Sequence, residues 1–145
     1  MLLKEIMTTD VEVIEPETSI TNAAKKMRSL DVGALPVCDG RRLLGMVTDR
    51  DITIRATAEA RNPDSTFVRD CMSPEIVYCF DDQDVEEAER VMQEKQIRRL
   101  PVLTRDKQLA GIIALGDLAT KTRDIQQVGR TTREISEPAR EGGTQ

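Results

Sequence analysis

Two short stretches of this 145-residue chain put polar side chains at the end of an apolar run. GMVTDRD, from Gly45 to Asp51, ends in the Thr48 hydroxyl and the Asp49 and Asp51 carboxylates. GIIALGD, from Gly111 to Asp117, has the same shape but keeps only Asp117, with Ala114 in the place of Thr48. An aspartate at a strand-to-helix turn can do one of two things. Its oxygens can cap the helix N-terminus, or they can accept both hydrogens of a sugar diol. Catalysis fits less well. The chain has no histidine, so a Ser-His or Cys-His pair cannot form, and a metal site would need cysteine and carboxylate alone. Asp49 and Asp51, two residues apart, would not face one site from a helix, so the chain is expected not to be an enzyme. Cys38, Cys71 and Cys79 are odd in number and lack C-x-x-C spacing. They read as reduced, packed thiols, with a redox-sensing Cys71–Cys79 pair as the alternative.

The totals narrow the field further. A hydrophobic fraction of 39% with 32% charged residues describes a globular chain, and no run approaches the 18 or so apolar residues of a membrane span. The start, MLLKEIMTTD, lacks the basic and long apolar regions of a signal peptide, so a cytoplasmic location is expected and a membrane partner is not. A formal charge of −5 repels polyanions. Phe67, Tyr78 and Phe80 are the only aromatic residues, too few to stack bases, so nucleic acid is not an expected partner.

The elements that must position the two turns are written twice. Sliding the chain by 65 residues puts Met7 on Met72, Thr8 on Ser73, Met27 on Met92 and Leu35-Pro36-Val37 on Leu100-Pro101-Val102; a shift of 66 then matches Gly45 with Gly111 and Asp51 with Asp117. Two copies are too few for a solenoid, so two half-domains about a pseudo-twofold axis are expected. Each copy begins with a short strand, 11–14 or 76–79. A helix follows, striped by Ile20, Ala23, Ala24 and Met27 or by Val85, Ala88 and Met92. Thr18 and Ser19 offer cap oxygens to the first helix and Asp84 to the second. The acidic run 81–89 reads as a solvated helix start matched to the positive helix end. Strands 34–38 and 44–48, and then 100–103 and 109–114, lead to a second helix near Asp51 or Asp117. Asn62-Pro63-Asp64 breaks the chain between the copies.

The order strand, helix, two strands, helix, given twice with IMT, ALPV and G-x-x-T-x-x-D, resembles the cystathionine β-synthase (CBS) domain pair, or Bateman module, over roughly residues 1–122. The resemblance implies an α+β fold of tandem β-α-β-β-α repeats packed about a pseudo-twofold axis. The first repeat would span 1–60, a linker 61–68, the second repeat 69–122 and a flexible tail 123–145. It also implies a non-catalytic regulatory module that needs no cofactor. Such a module would bind AMP, ADP, ATP, NAD or S-adenosylmethionine in clefts between the repeats and signal through a homodimer or a separate effector protein. A ligand-free dimerisation scaffold is the alternative. In the ligand-binding reading Asp51 and Asp117 contact ribose, Thr48 reaches ribose or phosphate, and Arg98 and Arg99 contact phosphate. The first-copy counterparts of the arginines, Gly33 and Ala34, would let adenine lie against backbone beside Val32. Family geometry suggests one cleft from Thr8, Val32, Gly33, Ala34, Arg98, Arg99 and Asp117, and another from Ser73, Ile97, Thr48 and Asp51. Surface charges beside Glu94 remain the plainer reading of the arginines, and an ordinary strand residue that of Thr48.

Overall fold

The computed structural model describes residues 1–121; the expected tail, 123–145, lies outside the described residues. The first repeat contains α1 (Ile20–Leu30), β1 (Ala34–Asp39), β2 (Arg42–Thr48) and the one-turn helix α2 (Asp49–Ile52), which continues as a π-helical turn, Thr53–Thr57. The second contains β3 (Cys79–Phe80), α3 (Val85–Lys95), β4 (Arg99–Leu103), β5 (Leu109–Ala114) and α4 (Leu115–Lys121). β1 and β2 form an antiparallel pair in which Ala34 stands opposite Thr48, with a register shift between Val37 and Cys38. β3, β4 and β5 form a sheet in that order, β3 running parallel to β4. The first expected strand, 11–14, is reduced to a single parallel bridge between Ile14 and Val37.

The helices follow their stripes, with two departures. Ile20, Ala23 and Met27 are buried on α1, whereas Ala24 is exposed. On α3 the buried set is Val85, Ala88, Glu89 and Met92, so one member of the acidic run lies inside at 3% exposure. Position 89 falls four residues after Val85 and three before Met92, and helical geometry places it on the buried face whatever its charge. Ser19 caps α1 by accepting the Asn22 N–H at 3.2 Å. Asp84 occupies the cap position of α3 but accepts no side-chain cap bond. Both helices end in a left-handed residue, Asp31 (φ 56) and Gln96 (φ 53), as expected where a helix must turn sharply into a strand.

The described chain falls into two compact units that cut across the repeats. One, here the α1 unit, comprises Val11–Ile76 with Lys107–Leu109; the other, the α3 unit, comprises Met1–Asp10, Val77–Asp106 and, among the described residues, 110–121. The leading ten residues thus serve the second repeat. Leu3 N–H donates to the Gln83 carbonyl at 2.9 Å, Val85 N–H donates to the Met1 carbonyl at 3.0 Å, and Leu3 and Ile6 join the core of Ala88, Met92, Leu100 and Ile113. In the α1 unit the corresponding place is taken by the segment around Val68 and Cys71, which packs on Ile20, Ala23 and Val47. Val68 N–H donates to the Thr18 carbonyl at 2.8 Å and Ile20 N–H to the Thr66 carbonyl at 2.9 Å.

Candidate functional site

In the α1 unit the site residues gather at the end of β2. The Thr48 hydroxyl accepts the Asp51 N–H at 3.0 Å, and Asp51 Oδ2 accepts the Thr48 N–H at 3.0 Å. This reciprocal capping box satisfies two backbone donors that the helix start would otherwise leave open. It occupies one carboxylate oxygen of Asp51 and leaves Oδ1 as an acceptor. Gly33 is tied to the same turn, its carbonyl accepting the Asp49 N–H at 2.9 Å. A Cβ at Gly33 would lie 3.1 Å from Asp49 Oδ2. The room that a small residue leaves here therefore faces the Asp49 carboxylate. Asp49, whose spacing from Asp51 argues against a catalytic pair, is a neighbour of this site. Val32 precedes this turn, its N–H donating to the Met27 carbonyl at 3.0 Å.

Ser73 joins the same end through two backbone bonds with Met46: Ser73 N–H donates at 2.9 Å and Ser73 carbonyl accepts at 3.2 Å. A Cβ on Gly45 would collide with that Ser73 carbonyl. This explains the glycine that opens the GMVTDRD stretch, since only a bare Cα lets the two backbones pass so closely.

The α3 unit repeats the framework with other side chains. Thr8 exchanges backbone bonds with Ile112 at 2.9 and 3.0 Å, and a Cβ on Gly111 would lie 2.7 Å from the Thr8 carbonyl. The Leu115 N–H donates to the Arg98 carbonyl at 3.2 Å, the counterpart of the bond between Asp49 and Gly33. Asp117 Oδ2 accepts the Ala114 N–H at 2.8 Å, but Ala114 has no hydroxyl to return. Arg98 and Arg99 are exposed, and neither guanidinium group holds a hydrogen bond or ion pair among the described residues. Glu94, the expected neighbour of the arginines, instead pairs with Arg90 at 2.7 Å.

The structure therefore brings Thr8, Ile97, Arg98, Arg99 and Asp117 into one unit and Val32, Gly33, Ala34, Thr48, Asp51 and Ser73 into the other. None of them lines the groove of about 490 Å³ in the α1 unit, whose walls include Ile20, Ala24, Lys25, Arg28, Ile52 and Arg61. The cysteines are free and buried. Burial raises the Cys38 and Cys79 thiols to about 11 and also pushes up that of Cys71, so all three resist becoming thiolates. Among the described residues no cluster of histidine, cysteine, aspartate and glutamate is suited to a metal ion, and no helix is long and apolar enough to cross a membrane.

The CBS domain profile matches twice, over residues 3–56 and 68–123. The chain belongs to the CBS domain family. It carries the pair in the tandem α+β arrangement of that family, as its structural neighbours do. It is 40% identical to the CBS domain-containing protein YhcV of Bacillus subtilis over 134 residues, 92% of this chain and 94% of YhcV. The crystal structure of Hypoxic Response Protein I with two coordinated zinc ions matches with a TM-score of 0.76 at 35% identity, covering 84% of this chain and 99% of that one. The crystal structure of CBSX2 in complex with AMP matches with a TM-score of 0.71 at 28% identity, covering 92% of this chain and 97% of that one. Stand-alone CBS-domain pairs are generally regulatory rather than catalytic.

Proposed function

We propose that this CBS-domain pair binds an adenosine-containing ligand of the AMP, ADP or ATP type and passes the change to an effector protein, itself acting as a homodimer. The observation that carries the reading is the arrangement around the start of α4. Two exposed guanidinium groups without partners among the described residues, Arg98 and Arg99, share a turn with the Asp117 carboxylate, through the bond from Leu115 N–H to the Arg98 carbonyl. Unpaired guanidinium forks suit phosphate oxygens and a fixed carboxylate suits a ribose diol. In the α1 unit Asp51, Thr48 and Ser73 offer the sugar-binding counterpart, with Ala34 and Val32 as the apolar neighbours. The AMP-bound neighbour supports adenosine as the class. The ligand is regulatory, so folding requires no cofactor. Three buried free thiols fit a cytoplasmic location.

A thermal-shift panel of AMP, ADP, ATP, NAD and S-adenosylmethionine tests the reading. A ligand present at about 100 times its dissociation constant stabilises the native state by about 2.7 kcal/mol. In a chain of this size that raises the midpoint by roughly 5–11 °C. Asp51→Ala and Asp117→Ala should each remove part of the rise. Joint replacement of Arg98 and Arg99 by alanine should weaken ADP and ATP more than adenosine. A parent protein unmoved by every member of the panel would leave the dimerisation scaffold as its function.

A further inference from the structure

Ser73 is held at the α1 site by very little of its own. Its two bonds to Met46 form an isolated bridge, with no further ladder on either side. The preceding turn, Val68–Asp70, ends in Cys71 and Met72, whose N–H groups both return to the Val68 carbonyl at 2.9 Å. Their carbonyls point onward, as the last carbonyls of any helical turn do, and require a donor from elsewhere. Arg55 supplies it. Its Nη1 donates to the Cys71 carbonyl at 3.2 Å and to the Met72 carbonyl at 3.3 Å.

Arg55 can reach them because it sits in the π-helical turn that follows α2. The wider turn is marked by the bond from Ala58 N–H to the Thr53 carbonyl at 2.9 Å and by that from Arg61 N–H to the Ala56 carbonyl at 3.0 Å. It seats Ala56 in the core at 2% exposure while Arg55, the residue before it, lies over the Cys71–Met72 segment. π-turns of this kind are rare and recur at functional sites. The same helical element begins at the Thr48–Asp51 capping box, so a single stretch from Asp49 to Thr57 starts at two candidate ligand groups and clamps the segment that carries a third.

We propose that Arg55 is a positioning residue: by holding the Cys71 and Met72 carbonyls it fixes Ser73 against β2 beside Thr48 and Asp51. The inference rests on the nucleotide reading for its effect on affinity, but the clamp itself is a matter of backbone geometry and is read separately. Arg55→Met removes the donors and keeps most of the apolar stem, and Arg55→Lys keeps the charge and one reach. Amide hydrogen exchange, resolved at Ser73 and Met46, should quicken roughly tenfold in Arg55→Met and remain near the parent rate in Arg55→Lys. Nucleotide affinity should fall about threefold to tenfold in the methionine variant, the scale of losing charged hydrogen bonds at a partly exposed site. The lysine variant should recover most of it. A Ser73 amide that exchanges at the parent rate in Arg55→Met overturns the proposal. So does a faster Ser73 amide accompanied by equal quickening throughout the α1 core, because that is loss of fold rather than of position. If Ser73 alone loosens while the parent binds no nucleotide, the clamp stands and it is the nucleotide reading that fails.

Discussion

The turn after β2 and the turn after β5 share a backbone and differ in almost every polar side chain. Both tie the residue opening the helix to the carbonyl of a residue before the preceding hairpin, Asp49 to Gly33 and Leu115 to Arg98, and both set an aspartate carboxylate on the last strand N–H. The first turn is closed on itself by Thr48 and lies among small residues. The second has no such hydroxyl and carries, where the first has Gly33 and Ala34, two arginines whose guanidinium groups are without partners among the described residues. Duplication has preserved what the backbone demands and released what it does not. A capped turn beside small residues is suited to receiving an uncharged surface, and an arginine-bearing turn to receiving an anion. The two halves of this module are therefore not interchangeable.

The hardest way to break the parallel is at the glycines that both units require. Gly45→Val would drive a side chain into the Ser73 carbonyl, and Gly111→Val into the Thr8 carbonyl and the Met7 side chain. Backbone atoms cannot yield as a side-chain end can, so each bridge must open. We expect a loss of about 3–5 kcal/mol for either variant, among the larger effects of single substitutions. In thermal unfolding this is roughly 6–20 °C. Gly40, whose Cβ would meet nothing but whose φ is +61, provides the contrast. Gly40→Asn should cost far less, because asparagine tolerates the left-handed region. Equal losses at Gly40 and Gly45 would mean that the close approach of Ser73 has no energetic weight.

These glycines also show where the sequence was legible and where it was not. The repeat, the stripes on α1 and α3, both hairpins and the aspartates at the helix starts could be read from periodicity and spacing, because each is a local property. The exchange of leading segments could not. Leu3 and Val68 match in the alignment of the repeats, yet nothing local says that Leu3 packs beneath α3 and Val68 beneath α1. The matching of Gly45 with Gly111 was the available signal. Paired glycines in otherwise apolar strands imply that another backbone crosses there. Arg55 on the Cys71–Met72 carbonyls depends on that same non-local crossing, and Asp49 against Gly33 on the register of the β1–β2 hairpin, neither of which residue type and spacing reveal.

A second contrast is chemical, since each unit buries one strongly perturbed thiol, Cys38 in the α1 unit and Cys79 in the α3 unit. Burial raises both to about 11, above the ordinary thiol range near 8.5–9. Below about pH 7.5 the thiols are protonated in both states and the linkage term is constant. Between about pH 9 and 11 the unfolded chain releases protons that the folded chain retains, so stability falls as pH rises. Each thiol contributes a slope of up to about 1.4 kcal/mol per pH unit in that window. Urea titrations at pH 8, 9 and 10 should show the decline in the parent, and it should be shallower in Cys38→Ala and in Cys79→Ala by similar amounts. A variant with the parent slope would place that thiol in contact with water.

The smallest change sharpens the comparison most directly, because it tries to convert one turn into the other. Thr48→Ala should cost about 1 kcal/mol, the usual worth of a threonine N-cap, by freeing the Asp51 N–H. Ala114→Thr runs the other way. Ala114 already presents its N–H to Asp117 Oδ2 at 2.8 Å, and it stands at the end of β5, where a β-branched side chain is well suited to extended backbone. A hydroxyl there would meet the backbone N–H of residue 117 in the arrangement that Thr48 has with Asp51. We expect a gain of about 0.5–1 kcal/mol in urea unfolding, at the low end of cap energies because the carboxylate half of the box is already formed. Because the new hydroxyl would lie beside Arg98 and Arg99, nucleotide affinity should hold or rise with it. If Ala114→Thr destabilises the protein instead, the second turn is packed too tightly to take a hydroxyl. Its divergence from the first would then be a constraint of the fold rather than a freedom left by duplication.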